Sequence, residues 1–189
     1  MKEIRISKIE TENRNDDTKN MVLVGRPILY DIPTQIGEGN FAFTEVIQRG
    51  ALDGVDLKDT RLLYNHDMNK VPLAKTPKTM QLELDQAGLK MVANLANTEE
   101  SRSVYTAVER GDLSGMSFAF KVPEGGDSYN AETRTRTIHK IEKIYEVSVV
   151  PFPAYATTSV EARSAIDNLY SEERDDLRIK LNNILYKGE

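Results

Sequence analysis

At 189 residues, 39% hydrophobic and 29% charged, the chain has the make-up of one soluble domain with a proper core, and no apolar run approaches the roughly 20 residues of a membrane span. A net charge of -5 argues against a general nucleic-acid binder, and the basic clusters Arg134-Thr135-Arg136 and His139-Lys140 read instead as the exposed side of a hairpin. The absence of cysteine excludes a disulfide framework, a thiolate metal site and a thiol nucleophile, and two histidines without H-x-x-x-H or H-x-H spacing argue against a metal centre.

The first residues, Met1-Lys2-Glu3-Ile4-Arg5, carry no apolar h-region, so no secretory signal is expected. Residues 2–12 alternate as a strand with Ile4, Ile6 and Ile9 facing in, and Asn13-Arg14-Asn15-Asp16-Asp17 is a turn cluster. A second strand covers residues 21–30, with Pro27 predicting an edge or a break near Arg26. Residues 31–40 read as a loop. A short helix is expected over 45–49, with Thr44 as N-cap and Gly50 closing it. Strands follow at 61–64, 73–75, 80–84 and 89–95, and Asp85-Gln86-Ala87-Gly88 turns between the last two.

The clearest helix spans about 98–110. Asn97 with Glu100 forms a capping box, Val104, Ala107 and Val108 give an apolar face, and Gly111 is a natural stop. A strand carrying Ser117 comes next. After Gly125-Gly126-Asp127, a hairpin is expected to pair 133–141 with 143–150. From residue 159 the chain turns polar and helix-periodic, with a broken stripe of Ile166, Leu169, Tyr170, Leu177, Leu181, Ile184 and Leu185. The pattern predicts a β-rich α+β domain, an antiparallel β-barrel flanked by a few helices, over residues 1–158, and a charged helical tail over 159–189.

Three segments carry chemistry: His66 after Leu62-Leu63-Tyr64-Asn65, Ser117 within Leu113-Ser114-Gly115-Met116-Ser117-Phe118-Ala119-Phe120, and Glu146 within Ile144-Tyr145-Glu146-Val147-Ser148. Serine is inert until a base accepts its proton, and imidazole suits that task near neutral pH. Each residue also has a plain structural reading. His66 could cap a turn between Asn65 and Asp67, and Ser117 could be an inner-face serine bonded to a backbone carbonyl. Glu146, costly to bury alone, could pair with Arg136 rather than orient His66. His139 and Asp67 are the alternative third members, although Asp67 is adjacent to His66, where one side chain rarely orients the other. Ser114 is a rival nucleophile, but its place beside Gly115 at the helix exit suits a turn.

On these three motifs, in this order and with a helix just before the serine strand, the chain resembles the HK97-type prohead proteases of tailed bacteriophages, related in fold to the herpesvirus assemblin. The resemblance covers about residues 4–154, with Gly25-Arg26-Pro27-Ile28, residues 43–52 and Tyr145-Glu146-Val147-Ser148-Val149-Val150-Pro151-Phe152-Pro153-Ala154 also fitting. It implies His66 as general base, Ser117 as nucleophile and Glu146, preferred over His139, as the acid. Ser114 stands where such proteins often carry an aspartate, and Ala119 where they often carry glycine. The resemblance further implies a serine endopeptidase confined in the assembling prohead in the host cytoplasm. It would trim the scaffold region of the major capsid protein and itself, as a dimer or higher homo-oligomer, without nucleic acid or membrane. The tail would then be an autoprocessed or shell-targeting extension. A non-enzymatic assembly or scaffolding factor on the same fold is the alternative. An esterase is disfavoured by the lack of a G-x-S-x-G elbow.

Overall fold

Short runs of alternating burial separated by turn residues dictate a strand-dominated chain. The computed structural model describes residues 3–11 and 21–151. In chain order the strands are β1 (Glu3–Thr11), β2 (Val22–Leu29), β3 (Thr34–Ile36), β4 (Phe43–Ile47), β5 (Arg61–Tyr64), β6 (Ala74–Lys75), β7 (Met80–Asp85) and β8 (Gly88–Asn94). After helix α1 (Glu99–Glu109) come β9 (Gly115–Lys121), β10 (Asp127–Asn130), β11 (Thr135–Ile138) and β12 (Lys143–Val150). The expected turn at 13–17, the end of the Pro151–Ala154 motif and the tail at 159–189 lie outside the described residues.

Eight strands form one sheet in the order β6-β5-β12-β9-β1-β2-β8-β7, and β10-β11-β4-β3 form a second. Long β1 joins the halves of the larger sheet, pairing with β9 through Glu3 to Lys8 and with β2 through Ile9 to Thr11. The fold is β-rich α+β, with one α-helix among the described residues where a few were expected, and the expected antiparallel barrel is corrected in two respects. The pairs β5–β12 and β4–β11 are parallel. The outermost strands β6 and β7 are consecutive in the chain, and Thr79 N–H bonds Lys75 O at 3.0 Å, yet no ladder joins them among the described residues. A cavity of about 870 Å³ lies along this seam, lined by Asp56, Thr76, Pro77 and Leu82 among others.

The break expected near Arg26 is a bulge in β2, between Gly25 and Ile28. It presents the Arg26 guanidinium to both oxygens of Asp85, at 2.8 and 2.6 Å. That charged pair, with N–H bonds from Ala87 and Gly88, holds the Asp85 carboxyl far below the usual carboxylate range. The same crossing leaves no room at Gly88. With φ at 143°, a Cβ there would meet Ile28 O at 2.1 Å. Gly88→Ala is therefore expected to destabilise the domain by about 3 kcal/mol, read as a lower urea midpoint.

α1 buries Ser101, Val104 and Val108. Its cap is Thr98, whose Oγ1 accepts from Ser101 N–H at 3.2 Å, not the expected Asn97. Asn97 Oδ1 instead accepts from Arg102 at 2.8 Å, and Glu100, the expected box partner, pairs with Lys70 at 2.9 Å. Gly111 closes the helix at φ 81°, with its N–H on Val108 O.

Two further expectations are corrected. The segment expected as a helix over 45–49 is strand β4, because Phe43, Glu45 and Ile47 alternate as its buried set. Glu45 is inward-facing because Arg136 of β11 meets it at 3.0 Å, while Asp127 takes the same guanidinium at 2.6 Å. The expected hairpin between 133–141 and 143–150 does not form. β11 pairs with β10 and β4, whereas β12 belongs to the larger sheet, and the turn between them is anchored by Ile141 N–H on Ala51 O and Glu142 N–H on Lys121 O. Arg136→Ala strips a buried carboxylate of this guanidinium, and a loss of about 3–5 kcal/mol in denaturant unfolding is expected.

β9 is central and buried on both faces, as its apolar run requires. Met116, Phe118 and Phe120 enter the main core with Leu62, Val147, Val149, Val104 and Val108, each large apolar side chain contributing about 1.5–3 kcal/mol. The opposite face of β9 carries Gly115, Ser117 and Ala119. It is this face that holds the site.

Candidate active site

His66 lies two residues beyond β5. Asn65 and His66 are both left-handed, with φ of 50° and 58°, a region where Asn and His are enriched but which still strains the backbone. The strain is held by Asn65 N–H on Val149 O at 2.9 Å and Asp67 N–H on Tyr64 O at 3.1 Å. Asp67 caps its own turn through Asn69 N–H at 2.9 Å. Strand pairing sets Arg61, not His66, opposite Glu146, so this reversal is what lets the imidazole reach back along β12.

Glu146 owes its direction to a bulge. Ile144 opposes Phe120, but Glu146 opposes Ala119, so Tyr145 is an extra residue in the ladder. Ile144 thus faces the core, while Glu146, two residues on, joins the opposite face with Ala119 and Ser117. There its Oε1 lies 2.8 Å from His66 Nδ1, with the side chains 3% and 18% exposed. A carboxylate only accepts, so Nδ1 carries the proton and Nε2 of the neutral ring is left with its lone pair. The other oxygen, Oε2, accepts from Ser148 Oγ at 2.5 Å.

Ser117 lies on the neighbouring strand, its Cα opposite Ser148. It is 0% exposed, and its Oγ is the one buried side-chain polar atom among the described residues without a hydrogen-bond partner. A buried hydroxyl left unbonded costs about 1–3 kcal/mol, which a structural serine on an inner sheet face would avoid by finding a carbonyl. The structure joins His66 to Glu146 and sets Ser117 on the strand next to Glu146, with no hydrogen bond between Ser117 and His66; a carboxylate-bound imidazole and an uncommitted hydroxyl are components of acyl transfer through a serine.

The other candidates are elsewhere. His139 follows β11, with Nδ1 on Gln48 Oε1 at 2.6 Å and Nε2 on Ser128 Oγ at 2.7 Å, so both ring nitrogens are engaged. Arg136, the alternative partner for Glu146, is bound to Glu45 and Asp127. Ser114 sits in the turn between α1 and β9. Ser148 lies outside the residues that the motifs mark, and its signal in the sequence is the i, i+2 spacing from Glu146, which places both on one face of a strand. Among the described residues no group of three or more His, Asp or Glu is arranged to hold a metal ion, and no helix is long and apolar enough to cross a membrane.

The chain is 25% identical over 129 residues to the prohead protease of Enterobacteria phage HK97, an alignment covering 66% of this chain and 55% of that protein. It therefore spans little more than half the length of this curated relative. No solved structure matches the chain. The family model of the caudovirus prohead serine proteases matches residues 7–172, a span that takes in His66, Ser117 and Glu146. With so much of its length matched, the chain belongs to the caudovirus prohead serine protease family.

Proposed function

We propose that this chain is a serine endopeptidase that cleaves the scaffold region of the phage major capsid protein, and its own chain, during prohead maturation. The observation that carries the reading is the His66–Glu146 bond of 2.8 Å beside a strand whose Ser117 hydroxyl is uncommitted. His66 Nε2 takes the proton of Ser117 as Oγ attacks the scissile carbonyl, and the imidazolium, stabilised by Glu146, then protonates the leaving amine. Water, deprotonated by the same imidazole, releases the acyl group from Oγ. No cofactor enters these steps.

The work takes place inside the assembling shell in the host cytoplasm, with the capsid protein as partner. Residues 159–189 are the extension removed by self-cleavage, and a homodimer or higher oligomer is the working form. Kinship with the assemblin fold rests on the resemblance of the motifs.

Co-expression with the major capsid protein of the same phage, wild type against Ser117→Ala, tests the reading by intact mass. Trimmed capsid protein with the wild type and whole capsid protein with the variant is the expected result. Whole capsid protein with both, while shells still form, would identify an assembly factor on a protease-like fold and overturn it.

A further inference from the structure

A buried carboxylate presents two oxygens, each needing a donor. His66 supplies one, to Oε1. From Glu146 to Val149 β12 is flanked on both sides, by β9 and by β5, so backbone N–H groups there are engaged in the ladders rather than aimed at the carboxylate. The donor must come from a side chain on the same face. Ser148, two residues on and 0% exposed, is that side chain, at 2.5 Å from Oε2.

The terminal torsion of a glutamate is broad and roughly two-fold, so one hydrogen bond leaves the carboxylate plane free to turn. A second bond on the other oxygen fixes it. Ser117 and Ser148 face each other across adjacent strands, yet only one hydroxyl is committed, to Glu146. We infer that Ser148 is a positioning residue: it locks the plane of Glu146, and through it the orientation and tautomer of His66, while Ser117 stays free to react. This rests on the reading of His66 as the base.

The test has two arms. With a fluorogenic peptide spanning the mapped capsid cleavage site, Ser148→Ala lowers kcat about 10- to 100-fold with KM unchanged, because a base displaced by a fraction of an ångström loses its attack geometry without loosening peptide binding. Ser148→Thr, which keeps the hydroxyl on a strand that suits a β-branched residue, recovers most of that loss. In the Ser117→Ala background, where no cleavage can interfere, the low-field proton resonance of His66 Nδ1–H moves or broadens on adding Ser148→Ala, and the melting temperature serves as the control for packing. Wild-type kcat in Ser148→Ala overturns the inference. So does a loss of kcat that tracks a fall in melting temperature while the His66 resonance stays in place. If the wild type cleaves nothing, the proposed function fails by itself, and the resonance alone then decides whether Ser148 holds Glu146 against His66.

Discussion

Ser117→Ala is expected to abolish cleavage and, in the same protein, to raise the melting temperature. The first effect follows from chemistry. Without Oγ no acyl intermediate can form, and loss of a serine nucleophile that works with a histidine lowers kcat by about 10⁴- to 10⁶-fold. The second follows from the site's energetics. Ser117 is fully buried between β12 and β1, and its hydroxyl has no hydrogen-bond partner, so the folded state carries a desolvation cost that alanine removes. Alanine leaves the packing of Met116, Phe118 and Phe120 on the other face untouched. A gain of about 1 kcal/mol corresponds to about 2–4 °C for a domain of this size. Calorimetry beside a peptide cleavage assay reads both effects. A variant that melts lower than the wild type would mean that the hydroxyl is satisfied in solution, and the argument from an uncommitted Oγ would fall. The opposed signs are the signature of a group kept for function at the expense of stability.

How much of this was legible in the sequence depended on whether local pattern or tertiary pairing set the structure. α1, β5, β7, β8 and β9 were readable because their apolar spacing and flanking turn residues agree with their final state. Even the β2 bulge was announced, by Pro27. β4 is hidden because Glu45 looks like the opening of a helix, whereas a partner as distant as Arg136, 91 positions on, helps make a buried carboxylate tenable in a strand. The 133–150 hairpin was misread because adjacency favours pairing, whereas the turn at 139–142 carries the chain from one sheet to the other. Barrel closure is a property of two edges that no local pattern reports. For the candidate site, His66, Ser117 and Glu146 stand out as residue types at strand ends and in apolar runs. Their mutual geometry does not. Strict alternation puts Glu146 on the same face as Ile144, in the core, and the bulge at Tyr145 reverses that assignment. The left-handed turn at Asn65 and His66 was likewise invisible, since neither residue is glycine.

Glu146→Gln is the second large effect, and it separates charge from shape. Glutamine has the same outline, and the Ser148 hydroxyl can donate or accept, so either orientation of the amide is satisfied on that side. The packing should persist, with stability changed little, since the amide keeps a hydrogen bond on each side and, beside a neutral imidazole, leaves no buried charge without a partner. Catalysis should not persist. If the amide oxygen faces Nδ1, the imidazolium formed during attack loses its counter-charge; if the NH₂ faces Nδ1, the ring takes the other tautomer and Nε2 is protonated before it can act. Either way kcat is expected to fall about 10³- to 10⁴-fold, with KM and the melting temperature close to wild type. His139→Ala is the matching control. Its ring is held by Gln48 and Ser128 on the smaller sheet, so its loss should leave kcat where it was. Should His139→Ala instead silence the enzyme while Glu146→Gln cleaves normally, the acid assignment would pass from the carboxylate to the second histidine. The 2.8 Å contact would then be a buried ion pair that holds the His66 turn in place.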